Sequence, residues 1–70
     1  MPDSVYKVIE LIGTSTESWE KAAKAAVDRA SETLRELRVA EVTELDMMLM
    51  DDEVQHYRAK VKVSFKYEGD

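Results

Sequence analysis

Two acidic residues, Glu44 and Asp46, are separated by one position in a stretch that is typical of a β-strand. Because alternate residues of a strand project to the same side, their carboxylates are expected to share one face of a sheet. Carboxylate oxygens at this spacing can bind a hard divalent cation such as calcium. The same side chains can instead pair with Arg58 and Lys60 across a hairpin, where exposed ion pairs contribute little to stability. The sequence therefore leaves two interpretations open, a calcium site and a pair of cross-strand salt bridges.

Other groups of side chains are weaker candidates for a binding site. Residues 51–53 are acidic, but they lack the spaced ligands and the glycine of an EF-hand loop and are typical of a solvated turn. Three of residues 47–50 are methionines, which either form a soft ligand surface or fill core and subunit contacts. Trp19 is predicted to anchor the core, and His56 is predicted to be an exposed strand residue. A row of basic residues can bind a phosphate group or can balance neighbouring acids, and it consists of Arg58, Lys60, Lys62 and Lys66.

Composition argues against several classes of protein and of binding site. The 70 residues carry a formal net charge of −5, which argues against a nucleic-acid or anionic-membrane partner. Cysteine is absent and histidine occurs once, so disulfides, thiolate zinc sites and two-histidine sites are excluded. No enzyme motif is present, such as a Gly-rich phosphate loop or a serine flanked by glycines. We expect a non-enzymatic, cytoplasmic protein in which residues 1–70 form a single domain that is stabilised by oligomerisation.

Hydrophobic periodicity predicts one helix among three strands. Apolar residues at steps of three and four, uninterrupted by Gly or Pro, predict a helix over residues 17–37. Strand-like composition and a change to period two predict strands over residues 4–12, 38–50 and 55–67, with a polar turn at 51–53. This order of elements predicts an α+β fold in which a sheet covers the helix.

Several side chains can cap the start of the predicted helix. Thr14 and Glu17 fit the spacing of a capping box, in which each side chain bonds to the backbone of the other. Ser15 or Thr16 would serve nearly as well as the N-cap. The start of the helix is therefore predicted only to within two residues.

Charge predicts the register of the second and third strands. If residues 51–53 form the loop, Asp46 faces Arg58 and Glu44 faces Lys60. The same register predicts four further pairs, Met50 with Val54, Met47 with Tyr57, Leu45 with Ala59 and Val39 with Phe65. It is expected to hold unless a β-bulge intervenes.

Apolar residues are also predicted on the face of the sheet that points away from the helix. A second apolar face normally indicates a partner, and another copy of the same chain is the simplest partner. The residues assigned to this face are Val8, Ile12, Ala40, Val42, Met48 and Met50.

The order of strand, Gly-Thr-Ser segment, helix and long hairpin resembles the dodecins. The resemblance runs over nearly the whole chain and is carried by residues 5–15, by Ala22-Ala23 and Arg29-Ala30 in the helix, by residues 40–42 and by residues 61–65. It implies a βαββ protomer, with a three-stranded antiparallel sheet wrapped around one helix, that assembles into a hollow homododecamer. Typical dodecins store flavins, such as FMN or riboflavin, as stacked pairs between tryptophans of neighbouring subunits.

Two positions of the flavin site depart from the typical dodecin pattern. Val39 stands where the flavin-stacking tryptophan is expected, and Arg58 stands where a glutamine is expected to bond to the flavin ring. Segments 18–20, 38–40 and 46–47 are more similar to the calcium dodecins, which share the shell without the flavin platform. The resemblance therefore implies a small-ligand storage protein with a weakened flavin site at Val39, Leu45 and Arg58. A calcium site at Glu44 and Asp46, or a purely structural shell without a ligand, are the alternatives.

Overall fold

The computed structural model describes residues 3–67, and residues 1–2 and 68–70 of the predicted domain lie outside them. The four elements are β1 (Tyr6–Ser15), α1 (Trp19–Thr33), β2 (Leu37–Met50) and β3 (Glu53–Lys66). The strands form one antiparallel sheet in the order β1-β3-β2, so the last strand of the chain is the central one. This arrangement confirms the predicted α+β class and the βαββ order.

The core lies between α1 and the central strand. It is built from small side chains, which let the helix lie close to the sheet. The buried residues are Ala22, Ala26 and Ala30 on α1, and Ala59, Val61 and Val63 on β3. Ile9 and Leu11 of β1 pack against the edge of this core. No helix within residues 3–67 is both long enough and apolar enough to cross a membrane.

Helix α1 begins later than the capping-box prediction placed it. Ser18 is the N-cap, and its hydroxyl oxygen accepts a hydrogen bond from the backbone N–H of Lys21 at 3.1 Å. Strand β1 continues through Gly13, Thr14 and Ser15 to pair with β3. The Ser15 hydroxyl accepts hydrogen bonds from the N–H groups of Glu17 and Ser18, which precede the helix, and so it does not cap the first turn. The predicted box was wrong because the Gly-Thr-Ser segment belongs to the sheet.

Helix α1 also ends earlier than predicted, at Thr33 rather than at position 37. Leu34 already has extended dihedral angles, and its N–H closes the last turn on the carbonyl of Ala30 at 2.9 Å. Glu36 then adopts a φ of 61°, a conformation that a non-glycine residue adopts infrequently. Leu37 keeps the apolar spacing of the helix, but it reaches the core from β2.

The hairpin between β2 and β3 turns over two residues instead of the predicted three. Asp51 and Asp52 have φ values of 53° and 64°, the pattern of a type I′ turn. Glu53 belongs to β3 and pairs with Met50, so the predicted pairing of Met50 with Val54 was wrong.

The predicted register of the hairpin is confirmed in its middle and shifted at both ends. The four pairs that hold are Glu44–Lys60, Leu45–Ala59, Asp46–Arg58 and Met47–Tyr57. A bulge between Val42 and Glu44 inserts Thr43, and Val39 consequently pairs with Ser64 instead of Phe65.

This bulge changes the face on which two apolar side chains lie. We call the side of the sheet that carries α1 the helix face and the other side the open face. Paired strand residues project to the same side. Ala40 and Val42 pair with Val63 and Val61, which are buried under α1, so they lie on the helix face and not on the predicted open face. The rest of the predicted open-face set, Val8, Ile12, Met48 and Met50, is exposed.

Candidate functional site

Glu44 and Asp46 lie on the open face of β2, opposite basic residues of β3. Arg58 donates from Nε to Oδ1 of Asp46 at 2.8 Å and from Nη2 to Oδ2 at 3.1 Å. The Nζ of Lys60 lies 3.3 Å from Oε1 of Glu44. Both predicted cross-strand salt bridges are therefore present. The side chains of Asp46 and Glu44 nevertheless remain 53% and 68% exposed, so solvent still reaches both of them.

The two-point contact with Arg58 is the main electrostatic feature of this face. The hydrogen bonds from Arg58 lower the pKa of the Asp46 carboxyl below its ordinary value of 3.8. The same bonds raise the pKa of the Arg58 guanidinium. Asp46 is therefore a carboxylate at neutral pH, in the protonation state that a cation ligand requires.

The Asp46–Arg58 pair is expected to make stability dependent on acid pH. Because folding lowers the pKa of Asp46, its contribution is fully present above about pH 4 and is lost as pH falls through the folded-state pKa. We expect wild type to be more stable than Asp46→Asn at about pH 6 and the gap to close towards about pH 2. Urea unfolding with EDTA present measures both proteins. If the difference in free energy of unfolding between the two proteins stays constant over this pH range, the Asp46–Arg58 pair is not the source of the pH dependence.

Trp19 connects the start of α1 to the strand that carries the two acids. Its Nε1 donates a hydrogen bond to the carbonyl oxygen of Asp46 at 3.0 Å. Its ring also meets Tyr57 edge-on, with ring centroids 5.1 Å apart and planes at 70°. Trp19 is half-buried at the end of the core, and it holds the edge strand through this backbone bond. Sequence analysis missed the contact because a bond between residues far apart in the chain has no local signal.

The three residues assigned to a flavin site are not adjacent within one chain. Val39 pairs with Ser64 and lies on the open face, whereas Leu45 lies on the helix face. At ~3.3 Å per residue they are roughly 20 Å apart along β2. Arg58 is on the open face and already binds Asp46. Val39 lines a separate groove of about 140 Å³ together with Val27, Leu37, Arg38, Ala40 and Val63.

The remaining candidates are distributed along the hairpin. Within residues 3–67, no three His, Asp or Glu side chains converge to hold a metal ion, and this includes those of the acidic turn 51–53. His56 was predicted to be exposed, but its ring is half-buried. The basic row lies along β3, with Lys60 partly covered and Lys62 and Lys66 exposed.

Comparison with known proteins gives consistent matches over almost the whole length. A protein-family model described as Dodecin matches residues 5–68. A calcium dodecin of Mycobacterium tuberculosis is 52% identical over 63 residues, which cover 90% of this chain and 89% of the relative. A dodecin of Thermus thermophilus is 42% identical over 64 residues, covering 91% of this chain and 93% of the relative.

Solved structures show the same backbone arrangement. A dodecin from Streptomyces coelicolor superposes with a TM-score of 0.92 at 37% identity, and the match covers all of both chains. The calcium dodecin of M. tuberculosis, described as a calcium-chelating antigen with a novel calcium-binding site, superposes with a TM-score of 0.84 at 49% identity and 96% coverage of each chain. The fold and the family pattern are thus shared along the full hairpin that carries Glu44 and Asp46.

Proposed function

The chain belongs to the dodecin family, and on that premise we propose that it forms a homododecameric shell that binds and stores calcium ions without catalysing a reaction. The observation that carries the calcium assignment is the pair of half-exposed carboxylates on one strand face, Glu44 and Asp46. A calcium-binding relative at 52% identity supports the choice of ion.

The site that we propose is completed by more than one chain. Calcium takes six to eight oxygen ligands, typically at about 2.3–2.6 Å. Glu44 and Asp46 supply at most four carboxylate oxygens, and residues 3–67 of one chain bring no third acidic side chain to them. Copies of β2 that meet in the assembly can supply the rest. Each ion would then connect subunits, so calcium binding and assembly would stabilise each other.

The single chain leaves a surface that a second copy can cover. Helix α1 lies over β1 and β3, and it leaves β2 as an exposed edge strand. Three large apolar side chains on the helix face of β2 are accordingly exposed, and they are Val42, Leu45 and Met47. An edge strand with this composition is ordinarily paired or covered. The proposal places the protein in the cytoplasm. It includes no nucleic-acid partner and no membrane partner.

Calcium is expected to raise the melting temperature of the purified protein. At a free calcium concentration one hundred times the dissociation constant, each occupied site stabilises the folded assembly by about 2.7 kcal/mol. The double variant Glu44→Gln/Asp46→Asn is expected to lose this increment while keeping the shape of both side chains. Differential scanning calorimetry with added calcium, and with EDTA as baseline, measures the increment separately from any change in basal stability.

The matched control for this experiment is Asp51→Asn/Asp52→Asn, which removes two acids from the hairpin turn. It is expected to keep the calcium response, because the turn is not part of the proposed site. If the turn variant loses the response and the strand variant keeps it, the calcium site lies elsewhere. If wild type shows no response, the calcium function is wrong.

A flavin is the second candidate ligand, and the groove beside Val39 is the observation that favours it. In such a flavin site, the lining residues would be Val39, Leu45 and Arg58 from different copies of the chain. We expect weak flavin binding in wild type and roughly two- to tenfold tighter binding in Val39→Trp, since an aromatic stack contributes about 0.5–1.5 kcal/mol. Quenching of riboflavin and FMN fluorescence measures both proteins. Equal quenching in the two proteins would exclude a flavin site at this position.

A further inference from the structure

Two methionines and the single histidine of the chain lie together on the open face near the hairpin turn. Met48 is directly opposite His56 in the register of β2 and β3. A second register shift lies between Met48 and Leu49, where the extra residue, Gln55, is in β3. The alternation along β2 is therefore kept, and Met50, which pairs with Glu53, lies on the same side as Met48. Strand β1 ends at Ser15, which pairs with Tyr57, so β2 is the strand that flanks His56. The three side chains form a small patch that adjoins Asp46 on the open face but does not include Glu44 or Asp46.

The environment of His56 is unusual for a histidine on a sheet. Its Nδ1 atom is buried, and no hydrogen-bond partner for it lies within residues 3–67. Buried polar atoms are nearly always satisfied, so an unpaired one requires an explanation. Imidazole is a common metal ligand through either ring nitrogen, and rotation about χ2 changes which nitrogen faces a neighbour. Met48 and Met50 are 42% and 57% exposed, and Met48 is paired with His56 across the two strands.

We propose that Met48, Met50 and His56 form a binding site for a soft monovalent cation, namely Cu(I). Directly opposed strand residues have Cβ atoms about 4.5–5.5 Å apart, close enough for the Met48 thioether and the His56 ring to bind one ion. The methionine side chain has three rotatable bonds, which lets the Met50 sulfur reach the same point. Thioether and imidazole ligands together favour Cu(I) over calcium or magnesium, which prefer oxygen ligands.

The local charges permit a cation at this position. The nearest cationic residue on the same face, Arg58, is already paired through two hydrogen bonds with Asp46. The adjoining turn contributes Asp51, Asp52 and then Glu53, all exposed. The chain contains no cysteine, so thiolates of this protein do not compete for the ion. The Cu(I) site and the proposed calcium site therefore use different ligands.

Competition with bicinchoninate under anaerobic conditions tests the site in the assembled protein. Wild type is expected to withdraw Cu(I) from the coloured complex. Met48→Leu and His56→Gln are expected to weaken binding by at least about tenfold, since even the loss of a supporting residue commonly costs that much. The matched control is Met47→Leu on the same strand, because Met47 lies on the helix face opposite Tyr57 and should not affect binding. Excess calcium is expected to displace no Cu(I).

A second measurement does not depend on any variant. Silver(I), which is redox-inert and similarly soft, is added to protein with isotope-labelled methionine methyl groups, and NMR spectra are recorded. The Met48 and Met50 signals are expected to shift, and the Met47 signal is expected to stay. The proposal is overturned if Met47→Leu weakens binding as much as Met48→Leu, or if Cu(I) stays with bicinchoninate. It is also overturned if silver does not shift the NMR signals of Met48 and Met50. That result is expected if both side chains are buried between copies of the chain.

Discussion

Gly13→Ala is expected to destabilise the protein by about 3 kcal/mol or more, a large share of the 5–15 kcal/mol typical of a folded domain. A Cβ atom at position 13 would stand 1.9 Å from the carbonyl oxygen of Ala22 and 3.1 Å from the Cβ of Ala26. The first contact is with helix backbone, which cannot rotate away as a side chain can. Strand β1 and helix α1 would have to separate, and the contact of Ala22 with the sheet would be lost.

Urea unfolding of Gly13→Ala against Thr14→Ala measures this effect. Thr14 follows in the same strand and is exposed, so its substitution is expected to change stability by no more than about 0.5 kcal/mol. The double variant Gly13→Ala/Ala26→Gly is a further check. It removes the contact with the Ala26 side chain and leaves the contact with the Ala22 carbonyl, so it should not recover stability. An unchanged unfolding midpoint in Gly13→Ala would contradict the close packing of β1 on α1.

Leu45→Lys is expected to break the proposed dodecamer and release single chains. Leu45 is 53% exposed in one chain and lies on the helix face of β2, beyond the cover of α1. If a second copy covers it, the substitution places an unpaired ammonium group in an apolar contact, which costs several kcal/mol. Because every copy in a symmetric assembly carries the same change, the cost is repeated at each equivalent contact. Native mass spectrometry at low salt gives the mass directly.

The matched control for this prediction is Glu32→Lys on the solvent side of α1, where the side chain is 65% exposed. It makes a larger change in charge and is expected to give the same assembly mass as wild type. Leu45→Met, which conserves volume, is expected to assemble as wild type does. A twelve-fold mass for Leu45→Lys would show that this part of β2 lies outside the subunit contacts.

The ion pairs of the candidate site were predictable because they depend on charge and alternation in neighbouring strands. Opposite charges at Asp46 and Arg58 and at Glu44 and Lys60 select one register, and the structure has that register. The side of the sheet on which Val42 lies was not predictable in the same way. It depends on a bulge at Thr43, and no Gly or Pro in the sequence marks the extra residue.

The end of helix α1 was also not predictable from the local hydrophobic pattern. Leu34 and Leu37 continue the helical spacing, so periodicity alone predicts that the helix runs through both. The chain instead turns at Glu36, in a backbone conformation more typical of Gly or Asn. Contact between Leu37 and the core across the sheet outweighs the local preference. The hydrogen bond between Trp19 and the Asp46 carbonyl is likewise tertiary and follows only from the complete fold.

The central position of β3 also determines when the molecule can fold during synthesis. Neither β1 nor β2 pairs with the other, and each depends on β3 for its hydrogen bonds. At about 5–20 residues per second, a ribosome needs on the order of one to three seconds to make β3 after β2. During that interval β2, with its apolar side chains, has no pairing partner in its own chain. Nascent chains that are brought close together on one messenger RNA would therefore be exposed to mispairing, so spacing between ribosomes and chaperone binding should affect the yield of folded protein.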